Sequence, residues 1–270
     1  MKTIYKALTI AGSDSGAGAG IQADLKTFAA FGVYGTSAIT AITAQNTRGV
    51  TQILELSPEL VASQIDAVLQ DIGADSAKTG MLANSAIIRA VAEKIREHRL
   101  TNIVVDPVMV AKGGDLLLRQ EAVETLRSRL IPLASVVTPN LPEAEKLTAM
   151  EIRRSREARE AARRIMLMGA RSVVIKGGHR RGPATDIFYD GKNFRELRAE
   201  RIRTRHTHGT GCTFSAAIAA GLARGENLEQ AVIHAKRYIT EAIRRGFPVG
   251  SGQSPVHHFY HFWEKELRKK

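Results

Sequence analysis

The stretch HTHGTGCTFSAA at 206–217 joins a glycine turn, two threonines, a cysteine and a run of small residues suited to a helix. A Gly-x-Gly turn at a helix entrance leaves several backbone N–H groups without carbonyl partners, at the positive end of the helix dipole. Gly209, Thr210, Gly211 and Cys212 therefore form a candidate hole for a transferring anion, with the hydroxyls of Thr207 and Thr210 as further donors. An ordinary glycine loop entering a tightly packed Ala-rich helix would read the same way. Asp106, at the end of an apolar run, and Asn140 and Glu143 in TPNLPEAE offer oxygens suited to Mg²⁺, which keeps several waters and bridges to phosphates. A plain helix cap would use Asn140 and Glu143 at the same spacing. Lys176 ends another apolar run ahead of two glycines and can meet a nucleotide phosphate as a point charge.

Other motifs fail on inspection. GSDSGAGAG (12–20) has the spacing Gly16-x-Gly18-x-Gly20, which is not G-x-G-x-x-G, and Gln45 stands where a dinucleotide site needs an acid. Its glycines serve a tight turn, or let backbone N–H groups close over a ligand. Lys78-Thr79 is preceded by Ala77 where a Walker A loop needs glycine. His257-His258-x-x-His261 has only Glu264 nearby as a further zinc ligand, and a packed or surface C-terminal helix explains it better.

The elements that must hold these residues alternate along the chain. ALTIAG (7–12), VYGTSAITAITAQN (33–46), AKTG (77–80), NIVVDPV (102–108), SVVTPN (135–140) and SVVIKGG (172–178) read as strands. Helices are expected after the glycine loop up to Gly32, over 57–73 behind a Ser cap with Leu60, Val61, Ile65, Val68, Leu69 and Ile72 on its apolar stripe, over 86–100, and over roughly 211–224 and 228–245. A hairpin spans 184–202 with Asp190-Gly191 at its tip. Repeated βα units with continuous apolar strands predict an α/β domain, residues 1–270, with a mainly parallel central sheet and helices on both faces. Ligands of such sheets bind at the carboxyl ends of strands, where Gly12, Gln45, Met81, Asp106, Val108, Asn140 and Lys176 collect.

Composition narrows the class of function. The single cysteine excludes an internal disulfide, and the N-terminal apolar run is too short for a leader or a membrane span, so a cytoplasmic protein without a membrane partner is expected. The net charge of +12 comes from 39 Lys and Arg against 27 Asp and Glu. Much of it lies in IRRSREAREAARR (152–164), where interspersed Glu and Ala indicate a solvated helix face, in RRGFP (244–248) and in the basic tail KELRKK (265–270). Aromatic residues are not interleaved with these runs, which disfavours nucleic acid as a partner.

In combination and in this order, AGSDSGAGAGIQADLKT (11–27), TAQNTRGV (43–50), KTGML (78–82), VVDPVMVAKGGDLLL (104–118), TPNLPEAE (138–145), VIKGGH (174–179), HTHGTGCTFSAAIAA (206–220) and SPVHHF (254–259) resemble the hydroxymethylpyrimidine and phosphomethylpyrimidine kinases of thiamine biosynthesis, in the ribokinase-like superfamily. The resemblance covers nearly the whole chain. It implies a ribokinase-like domain, a homodimer, and two ATP- and Mg²⁺-dependent phosphorylations of 4-amino-5-hydroxymethyl-2-methylpyrimidine. It also implies roles: Gln45 pairs with the aminopyrimidine edge, and Gly12, Ala19, Met81 and Val108 line the ring. Asp106 and Glu143 are the metal-associated acids, Asn140, Lys176 and Thr207 face the nucleotide, and Gly209 to Cys212 form the anion hole. Other branches of the superfamily carry Asp where Cys212 stands. A helix N-terminus lowers a thiol pKa, but a thiol near neutrality still spares a phosphorylated acceptor the repulsion a carboxylate would exert. Pyridoxal kinase is the alternative within the class, because relatives with the same cysteine loop phosphorylate that flat ring. A basic regulatory protein on a kinase fold is the alternative from another class.

Overall fold

The computed structural model of the chain describes residues 4–110, 117–119, 121–178 and 182–267. Segment 111–116 of VVDPVMVAKGGDLLL, His179 of VIKGGH and the end of the basic tail lie outside the described residues. In chain order the elements are β1 (Lys6–Asp14), α1 (Gly20–Ala30), β2 (Tyr34–Gln45), β3 (Val50–Glu55), α2 (Pro58–Asp71), β4 (Ser76–Thr79), α3 (Ser85–Glu97) and β5 (Ile103–Val105). Then follow α4 (Ala122–Thr125), prolonged by a π-helical and a 3₁₀ turn, β6 (Val136–Val137), α5 (Leu141–Thr148), α6 (Ser155–Leu167) and β7 (Val173–Ile175). The hairpin β8 (Ala184–Tyr189) and β9 (Phe194–Ala199) precedes α7 (Thr210–Ala223), α8 (Leu228–Arg244) and α9 (Tyr260–Leu267).

All nine strands among the described residues form one sheet in the order β3-β2-β1-β4-β5-β6-β7-β8-β9. The six strands from β2 to β7 in that order run parallel, while β3, β8 and β9 are each antiparallel to the strand that precedes them in the chain. β3 was not foreseen from sequence; VTQILE alternates poorly and most of its side chains are exposed. Because β2 lies on one side of β1 and β4 on the other, the chain reverses its direction of growth at β1, and a crevice opens at the carboxyl ends there.

Period-two alternation sends Leu8 and Ile10 of β1 into the layer built by α2, α3, α5 and α6, and Ala7 into the layer of α1, α7 and α8. Ser57, Asn84 and Asn227 each accept a backbone N–H three residues on, which contributes about 1 kcal/mol per helix start. Leu60, expected on the buried stripe of α2, is instead half exposed in the first turn of that helix. In α6, Ala158, Ala161, Ala162 and Ile165 face the core, and its arginines stay outside with Glu160 and Glu196. The solvated-face reading of that run therefore fits the packing.

α7 is buried from Thr213 to Ala223, mostly through small side chains with Phe214, Ile218 and Leu222 among them. Its first turn is aimed at the crevice.

Candidate active site

The strand ends deliver the expected residues to one cavity of about 700 Å³. Gly12, Ala19, Gln45, Met81, Asp106, Val108, Asn140, Glu143, Lys176, Thr207 and Gly209 to Cys212 all line it. The register explains the convergence. Asp106 N–H donates to Thr79 O at 3.0 Å and Lys176 N–H to Pro139 O at 2.8 Å, so the ladder continues just past β5 and β7. Asn140 and Lys176 end up side by side.

At the centre lies an ionic cluster. Lys176 Nζ donates to Asp106 Oδ1 at 2.8 Å, Thr138 Oγ1 lies 3.3 Å from the same oxygen, and Ser215 Oγ donates to Oδ2 at 3.2 Å. Burial works to raise the pKa of Asp106, but the charges of Lys176 and Lys78 and these hydrogen bonds outweigh it, so the carboxylate stays ionised. Burial likewise works against the Lys176 ammonium, and Asp106 and Glu143 more than restore it. Gly211 sits directly above: a methyl there would come within 3.3 Å of Lys176 Nζ and 3.7 Å of Asp106 Oδ2. Gly209 has φ +76° and packs against the Gly18 carbonyl, where no side chain fits. Thr210 Oγ1 donates its proton to Thr207 O at 2.7 Å. Its hydroxyl thus braces the turn and is not a free donor into the hole, contrary to the sequence expectation.

Asn140 and Glu143 form a reciprocal capping box: Asn140 Oδ1 accepts from Glu143 N–H at 2.9 Å and Glu143 Oε2 from Asn140 N–H at 2.7 Å. The capping and the cavity-lining readings hold together. Burial, opposed by Lys176 and helped by Asp106, pushes the Glu143 carboxyl up to about 7. For Mg²⁺ the donor set fits in one way. Both Asp106 oxygens already take protein donors, so Asp106 and Glu143 suit an ion that keeps its waters and is gripped through them.

Burial pushes the Cys212 thiol up to about 11, with Lys78 opposing and Asp24 and Asp106 reinforcing. The lowering expected from the helix N-terminus is overridden by desolvation and two neighbouring carboxylates. Cys212 is a neutral thiol at pH 7. Beneath it Lys78 Nζ meets Asp24 Oδ2 at 2.8 Å with both side chains fully buried, and Thr9 Oγ1 donates to the same oxygen at 2.6 Å.

Asp14, His208, Asp186 and Lys236 also line the cavity; Asp14 stands at a strand end that the sequence marks, but the pairings of these residues were missed. Asp14 Oδ1 accepts from Gly16 N–H at 2.8 Å, and Oδ2 from Gly18 at 3.1 Å, Ala19 at 2.8 Å and His208 Nε2 at 2.8 Å. This carboxylate organises the glycine loop and ties it to the anion hole. Burial opposes its ionisation, and His208 with the loop N–H groups brings the pKa below the ordinary value. Asp14 is the last residue of β1, but nothing in the sequence links it to His208, 194 positions away. On the opposite side Asp186 and Lys236 pair at 2.8 Å, one from the hairpin and one from α8. The histidines of HHxxH are structural where they are buried: His258 Nε2 bonds Thr213 Oγ1 at 3.0 Å and its carbonyl accepts from Tyr238 Oη at 2.6 Å.

Against known proteins, residues 14–257 match the family described as phosphomethylpyrimidine kinase. The chain is 51% identical over 259 residues to the hydroxymethylpyrimidine/phosphomethylpyrimidine kinase of Bacillus subtilis, covering 95% of this chain and 96% of that one. It is 55% identical over 252 residues to the thiamine biosynthesis bifunctional protein ThiED of Geobacter sulfurreducens, covering 93% of this chain but only 51% of that longer protein. The crystal structure of an ADP complex of Bacillus subtilis pyridoxal kinase superposes with a TM-score of 0.89 at 44% identity, covering 95% of this chain and 98% of that one. With a matching family model over most of its length and a full-length relative at 51% identity, the chain belongs to the phosphomethylpyrimidine kinase family, kinases of the ribokinase-like fold.

Proposed function

We propose that this kinase transfers the γ-phosphoryl group of ATP to the hydroxymethyl group of 4-amino-5-hydroxymethyl-2-methylpyrimidine, and then a second phosphoryl group to the monophosphate, in thiamine biosynthesis. One observation carries the reading: Gly12, Met81 and Val108, with the Gln45 amide, line the same cavity as the Gly209–Cys212 turn, whose Gly211 lies above Asp106 and Lys176. Apolar lining beside one amide suits a small heteroaromatic ring, and the turn suits a phosphoryl group in flight.

Phosphoryl transfer passes through a loose transition state, so alignment and charge stabilisation supply most of the rate. The Gln45 amide pairs with the aminopyrimidine edge and points the 5-substituent at the turn. N–H groups of the turn and the Lys176 ammonium take the charge on the transferring oxygens. Asn140, Lys176 and Thr207 hold the nucleotide phosphates, with the Asp186–Lys236 end of the cavity beyond them. Bound Mg²⁺ would neutralise phosphate charge, held through its waters by Asp106 and Glu143. Cys212 stays uncharged and adds no repulsion when the acceptor is itself a phosphate.

A homodimer is part of the reading. Ile42 and Leu54 face one another across β2 and β3 and are both exposed, with Ile53 and Leu60 exposed nearby. Such an apolar, unpaired edge calls for a cover, and a second copy of this chain supplies one. Use of ATP, one unpaired cysteine and no helix long and apolar enough to cross a membrane among the described residues suit the cytoplasm.

Pyridoxal phosphorylation is the second reading, favoured by the likeness to the pyridoxal kinase of Bacillus subtilis at 44% identity. The hydroxymethylpyrimidine/phosphomethylpyrimidine kinase of the same organism stands at 51%. Coupled ADP release with Mg·ATP decides between them. The expected kcat/KM for hydroxymethylpyrimidine exceeds that for pyridoxal by at least about 100-fold, the discrimination that unmatched hydrogen-bonding groups produce. Equal or reversed values would move the protein to vitamin B6 salvage.

A further inference from the structure

The Gln45 amide has only one orientation that its neighbours tolerate. As placed, its Oε1 lies 3.1 Å from Thr43 Oγ1 and its Nε2 3.4 Å from His208 Nε2. Amide oxygen and nitrogen have nearly the same shape, so partners decide which end is which.

His208 is fixed on both its side chain and its backbone. Nε2 lies 2.8 Å from Asp14 Oδ2; the His208 N–H donates to Ser254 O at 3.0 Å, and its carbonyl accepts from Val256 N–H at 3.4 Å. The Asp14 carboxylate takes three loop N–H groups besides and has no proton to give, so the hydrogen between them sits on His208 Nε2. An amide NH₂ facing that N–H would set donor against donor. At the opposite end, Thr43 has a single proton and Ser13 O takes it at 2.9 Å, which leaves the hydroxyl an acceptor toward Gln45. Both ends therefore favour the amide turned over from its placed orientation, with Oε1 toward His208 and Nε2 toward Thr43.

We propose that His208, held by Asp14, and Thr43 are positioning residues that lock the Gln45 amide with its acceptor on the His208 side and its donor on the Thr43 side, and so select a ring carrying an acceptor nitrogen beside an exocyclic amine. The inference rests on the assignment of Gln45 to the acceptor ring. In a 4-aminopyrimidine the ring nitrogen accepts from Nε2–H and the amine donates to Oε1, with the amine nearest His208. The 4-oxo analogue in its lactam form carries N–H and C=O at those positions. It would meet donor with donor and acceptor with acceptor, and each unmatched group costs binding. An amide free to turn over would accept both rings.

The test compares kcat/KM for 5-hydroxymethyl-2-methylpyrimidines bearing 4-amino or 4-oxo groups. The wild-type preference for the amine is expected to be at least about 1,000-fold, as in sites built to pair a polar substrate group. Thr43→Val and His208→Leu should reduce it to about tenfold or less, mainly through KM, by removing the partners that lock the amide. Thr43→Ser and His208→Asn, which keep an acceptor hydroxyl and a donor toward Asp14, should restore it. A folded Thr43→Val or His208→Leu enzyme that retains the wild-type ratio, or loses both rings in equal proportion, overturns the lock; Thr43→Val carries the test should His208→Leu fail to fold. Failure of the underlying assignment looks different: the wild-type enzyme itself would turn over neither pyrimidine.

Discussion

Glu143 shows how far one site residue is from its ordinary chemistry. Burial raises its pKa to about 7, so the folded state favours the protonated form and the unfolded chain does not. The stability this lends is present below the unfolded pKa of 4.5 and is lost as pH rises through about 7. Thermal melts of the metal-free protein from pH 5 to 8 should therefore show Glu143→Gln gaining on the wild type with increasing pH, by at most about 3 kcal/mol. A gain that shrinks with pH would refute the assigned environment. Cys212 offers a second check. As a neutral thiol its replacement by Asp should cost the monophosphate reaction more than the alcohol reaction, and steady-state kinetics with both acceptors read the difference; a variant at least as good on the monophosphate would remove the repulsion argument. Residues like Asp106, Asn140 and Lys176 were legible because a polar group directly after an apolar run marks a strand end. Asp14–His208 and Asp24–Lys78 were not, since their partners are set by tertiary pairing across 194 and 54 positions.

The two glycines at the head of α7 have separable duties. Gly209 needs its left-handed φ and its closeness to Gly18, so Gly209→Ala should lose at least about 2 kcal/mol of stability by denaturant titration. Gly211 lies at an ordinary helical position, and Gly211→Ala should leave stability within about 1 kcal/mol. Its methyl crowds Lys176 Nζ at 3.3 Å, however, and kcat should fall at least about tenfold. Equal effects of both changes on stability would contradict this division. Between α1 and β4, removal of the Lys78 charge leaves Asp24 buried without a partner, so Lys78→Met should cost about 3–5 kcal/mol, and adding Asp24→Asn should recover part of it. The elements themselves were largely readable, because apolar runs of strand length alternate with helical periods. β3 was the exception; its exposed, weakly alternating side chains carry little signal without β2 beside them.

At the scale of the molecule, a sheet that reverses its growth at β1 brings the acceptor-lining residues and an anion hole into one crevice, and one crevice must then serve both phosphorylations. The exposed apolar edge of β2 and β3 belongs to the same scale. Light scattering at micromolar concentration should give a dimer, and Leu54→Lys should shift it to monomer without unfolding it. Sequence could point to the crevice through the residues after each strand, but not to that edge, because a side chain's exposure depends on what packs over it. The central claim is that a single site carries out two successive transfers. Purified protein should be incubated with Mg·ATP and hydroxymethylpyrimidine monophosphate, and the products identified by mass. Formation of the diphosphate with one ADP released per diphosphate is the predicted result. A monophosphate that persists unchanged, in protein that still phosphorylates the free alcohol, would contradict it.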